Sequence, residues 1–387
     1  MAEPRVQGWC PGALRPMQSG DGLLVRLRPR GGRILPDAAA GIARLAIAHG
    51  NGLLDLTSRA NLQLRGVTDA SYPLLMAGLQ SLDLLDATAA GEARRNIVVS
   101  PFWSRSDGSQ AIADALADAL AGPDAPELPG KFGFAVDCGD VPVLNHISAD
   151  IRLERGADGD LICRADGVTA GKRVTAESAV AAGLALAHWF LGSGGTTQGR
   201  GRMSLHLKNG PTLHPSYLEA PAQPTAIASP KPGPAAAGFL VGLEFGQMRA
   251  ETFAALSRLG TLRATPWRML LIEDASVAPE LAGLITSRDD PLLRVIACTG
   301  SPDCLQAARP TRKLARSLAP YVPDGAVLHV AGCRKGCAHP ASATVTLTAG
   351  LDGFDLIREG SANDAPTRVR IAPEFLLAHP ETLIETT

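Results

Sequence analysis

A short pattern occurs twice in this chain, and a duplicated unit constrains the fold more than any other feature. Gly22-Leu23-Leu24-Val25-Arg26-Leu27 alternates like a strand. A helical run follows from Pro36 to His49, with Ile42 and Leu45 on its apolar side and Gly50 at its stop. A second strand-like run extends from Leu53 to Val67. The pattern returns at Gly238-Phe239-Leu240-Val241-Gly242-Leu243. There the helix covers Ala250–Leu259 with Phe253, Leu256 and Leu259, stops at Gly260, and leads into a second strand over Leu262–Leu271. Each copy sets a threonine just before an arginine, Thr57 with Arg59 and Thr265 with Arg268. Order, lengths and this Thr–Arg pairing together predict strand–helix–strand duplication.

A larger block, about Arg94 to His214, lies between the copies. It holds strand-like runs at Asn96–Ser100, Phe132–Asp137 and Ala149–Glu154 and helical runs at Gln110–Ala121 and Thr175–Leu191. Ala220–Ala237 is rich in Pro and Ala and reads as a linker. A smaller block follows the second copy. The predicted division is 7–88, 89–219, a linker 220–237, 238–290 and 291–387, every part α+β. A length of 387 residues suits two or three domains. Lys+Arg 37 against Asp+Glu 38 gives no global basic field, which argues against nucleic acid as a partner. Met1 to Gly20 shows no apolar signal core and contains Pro4, Pro11 and Pro16. The longest apolar run, Ala179–Gly192, is interrupted by His188, too short for a membrane span, and reads as a buried helix. The expectation is a soluble, cytoplasmic protein with no membrane partner.

Of seven cysteines, four crowd near the C-terminus. Five residues separate Cys298 from Cys304, three separate Cys333 from Cys337, and 28 lie between the pairs. Each pair follows a strand-like run, Leu293–Ala297 or Val327–Ala331, among small residues such as Gly300, Gly332 and Gly336. Such loops can wrap an inorganic cluster and offer it backbone N–H groups. Three readings stay open here: an iron–sulfur cluster, a zinc site with an atypical five-residue gap, and small core residues. Cys138 and Cys163 read as structural, as does Cys10.

Alternation along Leu53–Val67 puts Asp55, Thr57, Arg59, Asn61, Gln63 and Arg65 on one face and Leu54, Leu56, Leu62 and Leu64 on the other. The polar face lacks Lys and Glu, the usual solvent-facing fillers, which points to an anionic ligand. Arg26, Arg28 and Arg30 add cations from the first strand, and Arg94, Arg95 and Lys131 lie beside other strand-like runs. Arginine pairs with carboxylates through two parallel hydrogen bonds and keeps its charge when desolvated, so a polycarboxylate fits this set. A solvated sheet face is the other reading.

The C-x5-C…C-x3-C spacing and the duplicated half with its Thr-x-Arg resemble the sulfite and nitrite reductases. The resemblance implies an α+β fold of duplicated sulfite/nitrite-reductase-like architecture, with two small ferredoxin-like halves and two larger α+β domains. It implies that Cys298, Cys304, Cys333 and Cys337 hold a [4Fe–4S] cluster, Cys337 matching the cysteine that bridges to sirohaem iron. Arg59, Arg95 and Lys131 match basic residues that bind tetrapyrrole carboxylates and the anionic substrate. Asn61, Gln63 and Arg28 join them as substrate-binding candidates. The family's second nearby lysine falls on Gly133, so one anion-binding charge is missing.

Two segments, Gly8-Trp9-Cys10-Pro11-Gly12-Ala13-Leu14-Arg15-Pro16-Met17 and His329-Val330-Ala331-Gly332-Cys333-Arg334-Lys335-Gly336-Cys337-Ala338-His339-Pro340, resemble one branch, the precorrin-3B synthases of aerobic cobalamin biosynthesis. That branch implies an O2-dependent monooxygenase that hydroxylates precorrin-3A at C20 and closes a γ-lactone. The substrate would sit where relatives hold sirohaem, so sirohaem is not expected. The implied cofactors are the [4Fe–4S] cluster and a non-haem iron, and the implied partner is a ferredoxin- or flavin-type reductase. His146, His206, His214, His329 and His339 are candidate iron ligands, and no spacing singles out a pair. No catalytic residue is identified. A sirohaem-dependent reductase and a non-catalytic iron–sulfur or tetrapyrrole-binding protein are the alternative readings.

Overall fold

Alternating apolar residues and tight turns build two small sheets, and each takes its last strand from the other copy. The computed structural model of the protein describes residues 10–224 and 229–383. Gln7, Gly8 and Trp9, where the first domain and the N-terminal motif are expected to begin, lie outside these residues. The first small sheet runs Met17–Ser19, Gly22–Leu27, Leu62–Val67, Leu53–Leu56 and then Gln247–Arg249. The second runs Gly233–Ala235, Gly238–Leu243, Met269–Glu273, Leu262–Ala264 and then Arg33–Ile34. The order is the same in both, and the exchange is reciprocal. Helices Pro36–His49 and Ala250–Ser257 pack against one another behind the sheets. Ile42, Ala46, Leu54, Leu64, Phe253, Leu256 and Ile272 therefore share one core.

The second strand of each copy is not continuous. Leu53–Leu56 and Leu62–Val67 are the arms of a hairpin, with Asp55 opposite Gln63 and Leu56 opposite Leu62. Leu262–Ala264 and Met269–Glu273 form the matching hairpin. Both turns are closed by the threonine. Thr57 Oγ1 accepts from the amides of Arg59 and Asn61 at 3.3 and 3.2 Å. Thr265 Oγ1 accepts from Trp267 and Met269, both at 3.3 Å. Ala60 (φ 54°) and Arg268 (φ 60°) occupy the left-handed position. The threonines are thus equivalent, but Arg59 matches Trp267 and Arg268 matches Ala60, so the two arginines are out of step by one residue. No Gly marks either turn, which hides the break from the sequence.

The larger sheets are also copies. Ile97–Val99, Phe134–Asp137 and Ile151–Arg155 are parallel and continue antiparallel into Leu161–Ala165 and Ala170–Arg173. Val295–Ala297, Leu328–Ala331 and Ala343–Ala349 are parallel and continue antiparallel into Phe354–Gly360 and Arg368–Ile371. Helices Ser109–Ala121 and Arg312–Leu318 join the first two strands in each. The duplicated α+β architecture therefore spans nearly the whole chain. The ends of the predicted linker 220–237 are paired: Ala220–Pro221 extends the first large sheet and Gly233–Ala235 the second small one. Their prolines are tolerated because both strands are sheet edges. The Ala179–Gly192 run lies in helix Ala176–Gly192, which buries Ala179, Leu186 and Phe190. Among the described residues no helix is long and apolar enough to cross a membrane.

Candidate functional site

The hairpin keeps the alternation in phase, so the polar face survives the turn. Arg26 lies opposite Gln63 and Gln247 opposite Asp55. Gln63 Oε1 accepts from Arg26 Nε and Nη2 at 3.0 and 2.6 Å. Asn61 is buried on the same face. Arg65 is 3% exposed and joins Asp55 (2.8 Å) to Asp21 (2.8 Å). Arg59 departs from the face: it stands at the turn, and its Nη2 donates to the carbonyl of Lys131 at 3.3 Å. Arg30 is not on this face either, since it pairs with Asp118 on the surface.

The second copy carries an apolar version of this face. The positions of Arg26, Asn61 and Gln63 are held there by Leu240, Met269 and Leu271, a small apolar cluster covered by Phe102 and Trp267, whose rings stack at 6.0 Å. The ion pair Asp55–Arg65 returns with its signs reversed as Arg263–Glu273 at 2.7 Å. Arg263 also lies 3.6 Å over the Trp103 ring. One copy is plugged with aromatic side chains and the other keeps its polar face.

Around that face the structure gathers cations. Arg26, Arg59, Arg268 and Arg312 are half-buried, and among the described residues none forms an ion pair with a carboxylate. Burial, then the nearby charge of Arg28, pushes Arg26 down to about 10. Burial also lowers Arg59, with Arg202 and Arg28 adding to it, and lowers Arg268 and Arg312, which repel each other. Arg312 Nε is buried without a hydrogen-bond partner. Sequence reasoning missed Arg202 and Arg312, and took Arg268 only as a marker of the repeat, because each comes from a segment distant from the polar strand. Arg28 is buried against Glu92 at 3.1 Å, and Glu92 also accepts from the amides of Ala13 and Leu14. Beside them lies a cavity of about 390 Å³ lined by Cys10, Arg15, Arg28, Glu92 and Gly130. Cys10 lines this cavity together with Arg28.

Arg95 sits differently from its expected role. It grips Asp86 with two hydrogen bonds of 2.7 and 2.6 Å and donates to the carbonyl of Arg28 at 2.7 Å, so it braces Arg28. Lys131 is exposed beside Arg59. Gly133 explains the missing charge. A Cβ there would stand 2.7 Å from Asn96 Nδ2, which donates to the carbonyl of Phe132 at 2.9 Å. Gly133→Lys is therefore expected to lower stability by about 1–3 kcal/mol without creating an anion site. Urea denaturation and a sulfite titration check both halves of that statement.

The four cysteines sit on loops leaving the adjacent parallel strands Val295–Ala297 and Leu328–Ala331. They act on one another. Burial raises the Cys333 thiol, and Cys304 and Cys298 raise it further. Burial, with Cys298, Cys333 and Cys304 adding to it and Lys335 opposing, pushes Cys337 up to about 11. Arg268 Nη2 donates to the carbonyl of Ala338 at 2.7 Å, tying the second hairpin turn to this loop. Asp303, in the other loop, accepts through its carbonyl from Gly20 N (3.0 Å) and Ser19 Oγ (2.8 Å). The edge of the polar sheet and the second hairpin turn thus both border the cysteine site. Cys138 and Cys163 are fully buried away from it.

Among the described residues no group of three or more His, Cys, Asp or Glu side chains is arranged to hold a single metal ion. The candidate histidines are scattered: His206 bonds Ser193, His214 bonds Ser216, and His146 is exposed. His329 and His339 stand ring to ring, 5.6 Å apart, beside the cysteine loops.

Residues 15–82 match the family model described as the nitrite/sulfite reductase ferredoxin-like half domain. A precorrin-3B synthase from Sinorhizobium sp is 32% identical over 93% of this chain and 84% of its own length. The beta subunit of NADPH sulfite reductase from Saccharomyces cerevisiae is 32% identical over 24% of this chain and 6% of its own length. The structure of Mycobacterium tuberculosis NirA protein superposes with a TM-score of 0.70 at 16% identity, covering 93% of this chain and 79% of that one, a likeness of fold. With its duplicated ferredoxin-like halves, this chain belongs to the precorrin-3B synthase family within the nitrite/sulfite reductase-like proteins.

Proposed function

We propose that the protein converts precorrin-3A to precorrin-3B in cobalamin biosynthesis. One oxygen atom of O2 enters at C20, and the ring A acetate closes a γ-lactone onto C1. The other oxygen leaves as water, taking two electrons from an external ferredoxin- or flavin-type reductase and two protons from solvent. The observation that carries the reading is the set of half-buried arginines without carboxylate partners along a polar face whose twin is plugged with aromatics. Desolvated cations left unpaired are costly, and a ligand with many carboxylates removes that cost. Arg26 and Arg59 would bind substrate carboxylates, with Asn61 and Gln63 orienting the macrocycle edge and Arg28 held ready by Glu92 and Arg95.

Four thiols on two loops, flanked by Lys335, Arg268 and Arg312, fit a four-thiolate iron–sulfur cluster. A cluster is itself several atoms across, so its ligands stand around it instead of converging on one point, in keeping with the lack of a single-ion site. Such a cluster supplies one-electron transfer.

Arg59→Ala tests the assignment. Loss of hydrogen bonds to a charged group costs about 1.5–3 kcal/mol, so tetrapyrrole affinity is expected to fall roughly 10- to 150-fold in an absorbance titration. Cluster content should not change. Unaltered affinity would mean that Arg59 does not contact the tetrapyrrole. Acid–acetone extraction of sirohaem from the purified protein would redirect the reading to sulfite or nitrite reduction.

A further inference from the structure

The buried histidine beside the cysteine loops has a geometry that its fold does not require. His329 lies in strand Leu328–Ala331 and is fully buried. It pairs in parallel register with Ile296, two residues before Cys298, so its ring stands next to the first cysteine loop. Its Nε2 is 3.9 Å from Cys298 Sγ, and its Nδ1 is buried with no hydrogen-bond partner. His339 meets the ring edge-on at 5.6 Å and 76° and is itself held by the carbonyl of Ser342 at 3.2 Å.

A neutral imidazole carries one proton, and the surroundings choose its place. On Nδ1 it would be a buried donor with no acceptor, an unmade hydrogen bond of the costly kind. On Nε2 it faces sulfur. We infer that His329 is a positioning donor, aiming its Nε2–H at the sulfur of Cys298 and so setting the reduction potential of the cluster held by the four cysteines. The inference rests on the four-thiolate reading above. An electron entering a cluster spreads negative charge onto its sulfurs. An N–H aimed at one of them stabilises the reduced form more than the oxidised form and raises the potential. The proton stays on nitrogen, and the electron comes from an external low-potential one-electron donor.

The test uses the full chain, with dithionite as reductant and the cluster signal followed by EPR. Against the wild type, His329→Leu is expected to keep its iron and sulfide and to show a lower midpoint potential. His329→Gln, which places an amide N–H at similar reach, is expected to recover most of the shift. Iron–sulfur vibrations in resonance Raman spectra should move further on transfer to D2O in the wild type than in His329→Leu. Equal potentials in wild type and His329→Leu overturn the inference and leave the cluster standing. So does a drop that glutamine does not restore when the wild type shows no larger deuterium shift than His329→Leu. If His329→Leu assembles no cluster, the wild-type deuterium shift and the His329→Gln potential decide in the same way. Wild-type protein without cluster iron overturns the four-thiolate reading, and this inference with it.

Discussion

Replacing Arg65 by methionine is expected to remove about 3–5 kcal/mol of folding stability, a large part of what a domain of ordinary stability possesses. The side chain is 3% exposed and ion-paired with Asp21 and Asp55, each at 2.8 Å. Methionine keeps much of the volume, so the loss reports two carboxylates left partly buried and unpaired. Urea denaturation measures it, and a second change, Asp55→Leu, should return part of it by removing one stranded charge. The same guanidinium reaches the carbonyl of Asp303 at 3.4 Å, so the substitution also loosens the first cysteine loop. A change below about 1 kcal/mol would show that Arg65 is not the clamp between hairpin and loop.

Cys337→Ser is expected to lose nearly all protein-bound iron and acid-labile sulfide with little change in far-ultraviolet circular dichroism. Cys337 lies outside the apolar cores, so the fold does not depend on its sulfur. Cys163→Ser is the contrasting variant. That thiol is fully buried, and burial pushes it up to about 12, so serine there should cost stability and leave iron content intact. Normal iron and sulfide in Cys337→Ser would remove the cluster from the site. The result is independent of substrate, so it separates the metal question from the tetrapyrrole question.

Local pattern made the copies legible. The first strands, both helices and the cysteine loops follow from alternation, helix stops and small residues, all signals within about fifteen residues. The hairpin turns were hidden because Thr57 and Thr265 close them with a hydroxyl, and left-handed backbone falls on Ala60 and Arg268 instead of glycine. The polar face was legible because its parity survives the turn. What each charge does on it was not. Arg65 and Arg95 are indistinguishable from Arg59 in a sequence, yet the first two are committed to Asp21, Asp55 and Asp86 and the third is not. Partners that lie far apart in the chain decide this, and no periodicity encodes them. The cations from Arg202 and Arg312, and the place of Arg268 among them, escaped for the same reason.

The exchanged strands Arg33–Ile34 and Gln247–Arg249 carry a consequence for how such a protein can be divided. A polypeptide holding one copy alone would expose two raw edges, one where its borrowed strand belongs and one on the strand it should lend. Neither copy can be expressed as a self-sufficient module. Two fragments cut between the copies should instead find each other and fold as a complementing pair, each completing the other's sheet. A single copy made without its partner should assemble as a swapped homodimer, each chain lending its edge strand to the other.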